Sequence, residues 1–245
     1  LVHLEMGNTT KAFDLFGSAL TYDPRDPTAV MGAGSIIQDF EDYDVALIKY
    51  RVTAVRTPES PEMWNNIGMC FFGKGKLIAA IACLKKAVYL APSQWKISFN
   101  LGLVHLHNKQ YVSAFHFLSA AINFKKDHAL SFMLLGTALM YLDDAQNSRK
   151  AFAKALDLEP SNPLIYLNYS TLLYNDGDVA GAAEQHRAYE RCCTQNPKEV
   201  EKYEDDLREL SEKLLPAIMM GHLARDSPDE AQIGFDGGDT GNAEA

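Results

Sequence analysis

Two short stretches of this 245-residue chain carry residue types that could do chemistry. The segment 71–76, FFGKGK, has the glycines and lysines that cradle phosphates in nucleotide-binding loops. It lacks the GxxxxGK[S/T] spacing and follows no strand pattern, so we interpret it as a turn between two helices. His105 and His107 could each ligate a metal, but neighbouring-but-one positions on a helix face different ways and cannot share one ion. We therefore predict no metal site.

The remaining reactive residue types form no catalytic set. Cys70, Cys83, Cys192 and Cys193 give neither a CxxC pair nor a zinc-ligand spacing, which is typical of reduced thiols in an intracellular protein. With 32 acidic and 23 basic residues, the net charge of −9 does not favour binding to nucleic acid or to anionic membranes. The most apolar stretch, 130–142, is shorter than the roughly 20 residues of a membrane span. We predict no enzyme activity, no cofactor and no direct membrane insertion.

The residues around these motifs follow a helical repeat. Residues 61–94 fit the tetratricopeptide pattern, in which two antiparallel helices occupy about 34 residues. Trp64 supplies bulk and is expected in the core, and Gly68 and Ala80 are small enough for two helices to approach closely. Shifts by multiples of 34 find the same small residues again. These further structural positions are Gly34, Gly102, Gly136, Ala114 and Ala182.

The period predicts an all-α fold, a right-handed α-solenoid of tetratricopeptide (TPR) helix-turn-helix repeats with a C-terminal capping helix. We predict the capping helix because the ends of a solenoid need a polar outer face. We predict disorder in the last segment because it is acidic and rich in glycine and cannot bury enough apolar surface to fold. The predicted divisions are a truncated repeat at 1–26, full repeats at 27–60, 61–94, 95–128 and 129–162, a degenerate repeat at 163–196, a capping region at 197–224 and an acidic disordered tail at 225–245.

The surface that could carry function is the concave groove lined by the first helix of each repeat. Its predicted residues are rich in Phe, Tyr, Met and Leu and poor in charge, which indicates a partner-binding site, although packing within the array could cover some of them. Only Asn65 suits a clamp for a terminal carboxylate, so an amphipathic helix or an extended apolar peptide fits better. The predicted groove residues are Asn65, Met69, Phe72, Lys96, Phe99, Leu103, Leu106, Met133, Met140, Tyr141, Leu167 and Tyr174.

Several segments between about residues 7 and 190 are more specific than the repeat pattern. They resemble a family of Bardet–Biedl syndrome proteins, the TPR subunits of the BBSome. The resemblance is carried by ALTYDP at 19–24, DVALIKYRV at 44–52, PESPEMWNNIGMCFFGKGK at 58–76, FNLGLVHL at 99–106, YVSAFHFLSAAINF at 111–124 and NPLIYLNYSTLLYN at 162–175.

The resemblance implies a non-catalytic scaffold in a coat-like complex that carries membrane proteins to and from cilia. The implied partners are other BBSome subunits, including a second TPR subunit and a small extended peptide subunit, with pericentriolar satellite and dynein–dynactin proteins as further partners. The implied locations are the cytoplasm, the cilium, the basal body and centriolar satellites.

Two other functions stay open at this point. The chain could be a general TPR adaptor of another assembly, such as an intraflagellar-transport or cell-cycle complex. Because it starts at Leu1 rather than Met, we expect a piece of a longer protein, and the array could then recruit substrates for a larger enzyme.

Overall fold

The computed structural model describes residues 2–55 and 57–197 and the single positions 200, 207 and 211. These residues form helices and turns, with no strand among them, which confirms the all-α prediction. From α3 onward the first helix of each pair begins 34 residues after the previous one, at positions 27, 61, 95, 129 and 163. The helices are α1 Val2–Glu5, α2 Thr9–Tyr22, α3 Pro27–Asp39, α4 Tyr43–Ala54, α5 Pro61–Gly73, α6 Leu77–Leu90, α7 Trp95–His107, α8 Tyr111–Phe124, α9 Ala129–Met140, α10 Ala145–Leu158, α11 Pro163–Asn175 and α12 Val179–Gln195.

Local sequence fixes where several first helices start. Ser60 precedes α5, and its hydroxyl oxygen accepts a hydrogen bond from the backbone N–H of Met63. Asp26 caps α3 in the same way, through the backbone N–H of Ala29. Each of these helices begins with proline, which suits the first turn because its missing N–H would have no helical partner there. These caps therefore hold the helix starts in the repeat register.

Each helix pair turns through one residue with positive φ. The described residues contain six such turns, and in three of them the residue with positive φ is not glycine. At these three positions the left-handed conformation costs an L-residue about 1–2 kcal/mol. Gly75 lies in the turn between α5 and α6, so residues 74–76 of the FFGKGK segment form an inter-helix turn, whereas residues 71–73 still belong to α5. The six positions again recur every 34 residues, at Gly7, Glu41, Gly75, Lys109, Asp143 and Gly177.

Small residues lie where paired helices come closest. A Cβ atom added to Gly68 would be 2.8 Å from Cγ of Leu84 and 3.3 Å from the carbonyl oxygen of Ala80. Where the small position is a serine, its hydroxyl finds a partner across the same contact. Ser170 Oγ donates a hydrogen bond to the carbonyl oxygen of Ala182 at 2.7 Å. The glycine, alanine and serine positions thus allow close backbone approach within each pair.

The chain forms two compact units, which divide between Val104 and His105. The N-terminal unit is built on two buried clusters, one between α2 and α3 and one joining α3, α4 and α5. In the C-terminal unit α9 packs against α8, α10 and α11, and α11 packs against α12. No helix in the described residues is long and apolar enough to cross a membrane. The predicted capping region 197–224 and tail 225–245 lie outside the described residues, except for four positions in the former.

Candidate partner-binding surface

In the N-terminal unit, six predicted groove residues remain open to solvent. We call them the α5–α7 face. Lys96 is exposed and the other five are half-buried, so all six have surface that a partner could contact. Apolar side chains dominate the set, as the sequence indicated. The α5–α7 face consists of Asn65, Met69 and Phe72 on α5 and Lys96, Phe99 and Leu103 on α7.

A chain of side-chain hydrogen bonds holds the amide of Asn65 in this face. Asn100 Nδ2 donates to Asn65 Oδ1 at 2.8 Å, and Asn65 Nδ2 donates to Asn66 Oδ1 at 3.2 Å. Asn66 Nδ2 in turn donates to the hydroxyl oxygen of Tyr50 at 3.4 Å. Burial raises the pKa of Tyr50, so this hydroxyl stays neutral. The chain links α4, α5 and α7 and fixes the orientation of Asn65.

The nearby thiol of Cys70 is structural. Its side chain is fully buried, and Sγ lies 3.3 Å from Oε1 of Gln38, to which it donates. Burial raises the pKa of Cys70 to about 12, so the thiolate that a nucleophile requires does not form at neutral pH. Cys70 therefore packs and donates a weak hydrogen bond instead of reacting.

The predicted groove residues of the C-terminal unit behave differently. Leu106, Met133 and Leu167 are only 4%, 3% and 0% exposed, so in this structure they offer no surface to a partner. The physical reason for α9 is that three neighbouring helices pack around it. The sequence pattern placed these side chains on a helix face but could not show that the face was covered. Our assignment of these three residues to an open groove was therefore wrong.

The other three groove residues of this unit, Met140, Tyr141 and Tyr174, are half-buried. Tyr141 already has a partner within the chain, since its ring stacks on that of Tyr111 with centroids 4.5 Å apart and planes 8° from parallel. Such stacked pairs add roughly 0.5–1.5 kcal/mol beyond the area that they bury. Tyr141 thus contributes to packing whether or not a partner binds.

Trp64, which we expected in the core, lies at the edge of a core cluster. The residue is half-buried, and its Nε1–H donates to the carbonyl oxygen of Pro58 at 2.7 Å. Lys86 Nζ lies 3.8 Å from the ring centroid, within range of a cation–π interaction. Tryptophan suits this position because the carbonyl of Pro58 accepts its N–H and the ammonium of Lys86 lies over its ring.

His105 and His107 face different sides of α7, because they are two positions apart on the helix. His105 is 2% exposed, its Nδ1 lies 2.6 Å from Oε1 of Gln110, and its ring stacks on Phe117. His105 therefore faces the interior of the repeat. Within the described ranges, no group of three potential metal ligands comes together.

A charged cluster on the C-terminal unit was not predicted from the sequence. Arg149 on α10 donates to the carboxylates of Asp176, at 2.5 Å, and Asp178, at 3.4 Å, which lie just after α11. Its partners are 27 and 29 residues away, in the next repeat, so no local spacing signals the contact. Because the groups are partly exposed, we expect each pair to contribute about 0.2–1 kcal/mol.

Family models and curated proteins agree with this architecture. Two models described as tetratricopeptide repeat match residues 61–94 and 133–197. The chain is 48% identical over 223 residues to "BBSome complex member BBS4" of Bos taurus, covering 90% of this chain and 43% of that protein. It is 50% identical over 197 residues to the Mus musculus protein of the same name, covering 79% and 37%. The chain thus spans less than half the length of these curated relatives.

Solved structures support the fold alone, because their sequence identities are low. A structure from a study of Pseudomonas aeruginosa pilF superposes with a TM-score of 0.67 at 20% identity, covering 84% of this chain and 93% of that one. MamA from Desulfovibrio magneticus RS-1 gives a TM-score of 0.61 at 22% identity, covering 67% and 93%. The repeat register and the 48–50% identity to several BBS4 homologues show a tetratricopeptide-repeat chain that is similar to BBS4.

Proposed function

We propose that this chain is part of a non-catalytic TPR scaffold subunit of a BBSome, the complex that traffics membrane proteins to and from cilia. The observation that carries the proposal is the 48% identity, over 223 residues, to a protein named as a BBSome complex member. The buried Cys70 on α5 is protonated and is therefore not an activated nucleophile, which agrees with a scaffold role.

The α5–α7 face would hold a peptide segment of another subunit. Met69, Phe99 and Leu103 offer partly open apolar surface, and burying such surface is the main gain in most protein associations. The amide of Asn65 is held by its neighbours, so it would lose little freedom on binding. The occupants that this surface suits are an extended apolar peptide or an amphipathic helix.

The proposed partners are the other BBSome subunits, including a second TPR subunit and a small extended peptide subunit. Pericentriolar satellite and dynein–dynactin proteins are proposed on the resemblance alone. The proposed locations are the cytoplasm, the cilium, the basal body and centriolar satellites. Imaging of a tagged chain in ciliated cells would test them, and a signal excluded from cilia and basal bodies would contradict the proposal.

The double substitution Phe99→Glu and Leu103→Glu tests the α5–α7 face. Two buried carboxylates would oppose binding, because a charge removed from water without a partner is strongly unfavourable. We expect the variant to lose co-purification with co-expressed BBSome subunits while its far-UV circular dichroism stays unchanged.

A matched control is Ile78→Glu, which places the same charge on an apolar residue of α6 that is 71% exposed in the same unit. The control should retain its partners. Equal subunit recovery with the wild type and the double variant would show that partners do not use the α5–α7 face.

A further inference from the structure

Helix α4 carries an apolar ridge on its solvent side. Val45, Ile48, Val52 and Val55 are 40%, 63%, 49% and 83% exposed. Their spacing of three, four and three residues places them on one side of the helix. With a rise of 1.5 Å per residue, the four side chains extend over about 15 Å. We call this set the α4 ridge.

The ridge is separate from the part of α4 that holds the fold together. Ala46, Tyr50 and Thr53 are all 0% exposed and belong to the buried face of the same helix. A helix of a globular protein normally has one apolar face toward the core and a polar face toward water. The second apolar face of α4 therefore needs another explanation.

Another helix of the same chain shows that the repeat itself does not require this ridge. The residues of α10 that lie 102 positions later, three repeat lengths on, are all polar and exposed. Meanwhile Ala151, Phe152 and Ala155 of α10 remain buried, so the helix pair forms normally. The α10 counterparts of Val45, Ile48, Val52 and Val55 are Asn147, Lys150, Lys154 and Asp157.

Basic residues border the ridge on both sides. Helical spacing places Lys49 beside it on one side and Arg51 on the other. In the described part of the chain neither cation has an ion-pair partner, whereas the nearby Asp44 is paired with Lys74. The acidic residues nearby, Glu41, Asp42 and Asp44, all lie at the N-terminal end of α4, so Lys49 and Arg51 are the charges beside the rest of the ridge. A partner with acidic groups beside an apolar stripe would complement it.

We propose that the α4 ridge is a second docking surface, which binds an amphipathic helix with acidic residues on both sides of its apolar stripe. A straight ridge of side chains packs against the grooves of another helix. An anionic membrane is a poorer match, because binding to one usually takes a cluster of about 4–8 basic residues, whereas Lys49 and Arg51 are the two that border the ridge. The surface is distinct from the α5–α7 face, and the proposal does not depend on it.

The test uses two synthetic 18-residue helical peptides with the same leucine stripe, one with Glu and one with Lys beside it. Fluorescence anisotropy measures the Kd of each peptide for the full chain. We expect the Glu peptide to bind at least tenfold more tightly than the Lys peptide. The double substitution Ile48→Lys and Val52→Lys should raise the Kd of the Glu peptide at least tenfold, and Arg51→Glu should raise it severalfold.

The double variant should fold, because α10 carries lysine at both equivalent positions. Ala82→Lys changes the position of α6 that corresponds to Ile48, also exposed, and should leave the Kd unchanged. The Phe99→Glu and Leu103→Glu variant should also bind the Glu peptide normally, which separates this surface from the proposed function.

Several results would overturn the proposal. They are no binding of the Glu peptide, equal Kd values for the two peptides, an unchanged Kd in the double variant, and ridge-dependent binding to phosphatidylserine vesicles in place of the peptide. Self-association of the wild type that the double variant abolishes would likewise overturn it, by assigning the ridge to a second copy of this chain.

Discussion

Replacement of His186 by leucine should stabilise the chain. His186 lies on α12, is 5% exposed, and neither ring nitrogen has a hydrogen-bond partner among the described residues. Its ring stacks on Tyr189 with centroids 5.5 Å apart. At the same repeat position the other helix pairs place large side chains without unpaired polar atoms, of which Leu84 and Leu118 are fully buried. The repeat therefore accepts leucine at this position.

The size of the effect follows from the unpaired nitrogens. A buried polar group without a partner costs about 1–3 kcal/mol. His186→Leu removes that cost and fills the space with a side chain of similar size, so the free energy of unfolding should rise by about 1–3 kcal/mol at neutral pH.

The pH dependence of the free energy of unfolding gives a second, independent test of the contribution of His186. Burial lowers the pKa of His186, and the nearby Glu190 opposes this effect only in part. Since the folded-state pKa is below the unfolded value of about 6.5, the unfolded chain binds more protons as the pH falls below 6.5. The wild type should therefore lose up to about 1.4 kcal/mol per pH unit relative to His186→Leu, until the pH passes the folded-state pKa.

Urea unfolding followed by far-UV circular dichroism at pH 7.5, 6.5 and 5.5 measures both effects. The difference between the two proteins isolates His186 from the other histidines. Substitution of the exposed His116 by leucine is the control, and it should not produce the stabilisation. A neutral or destabilising His186→Leu would show that the buried imidazole is satisfied, and the reasoning from its unpaired nitrogens would be wrong.

Three further substitutions test the packing. Gly68→Ala should lower the free energy of unfolding by about 1–3 kcal/mol, because its Cβ would lie 2.8 Å from Leu84; an unchanged urea midpoint would contradict this close approach. Glu41→Gly should raise the thermal midpoint by relieving a φ of 62°, worth about 1 kcal/mol, and a lowered midpoint would refute strain at this turn. Trp64→Ala should cost about 3 kcal/mol, the low end for a large aromatic, because the ring is half-buried; calorimetry showing a cost near zero would exclude a packing role.

The repeat period predicted much of the fold because the same local causes recur every 34 residues. Pro27, Pro61 and Pro163 start helices, and the left-handed turns such as Gly75 follow at fixed offsets. These effects depend on residues close together in sequence, so the pattern records them. That is why a stretch such as 61–94 already contained the complete two-helix unit.

The candidate site was less predictable because exposure depends on distant residues. Met133 and Leu167 occupy helix positions that suit a groove, yet neighbouring helices bury them. The hydrogen bond between Asn65 and Asn100 joins residues 35 positions apart, and the sequence marked only Asn65. The position of a residue within the repeat indicates which side of its helix the side chain faces, but it does not indicate which other helices cover that side.

The close contacts within the pairs also bear on how the chain avoids misfolding. Repeats with equivalent helices could exchange partners, within one chain or between chains, because the backbones are interchangeable. The side chains are not: the ring of Tyr50 fills the space that Gly34 leaves, whereas Gly68 faces the more compact Leu84. Ser170 carries a side chain where those glycines have none, so a helix bearing Tyr50 would clash there. These differences between otherwise equivalent helix pairs thus favour the native pairing during folding, because each helix packs well only against its own partner.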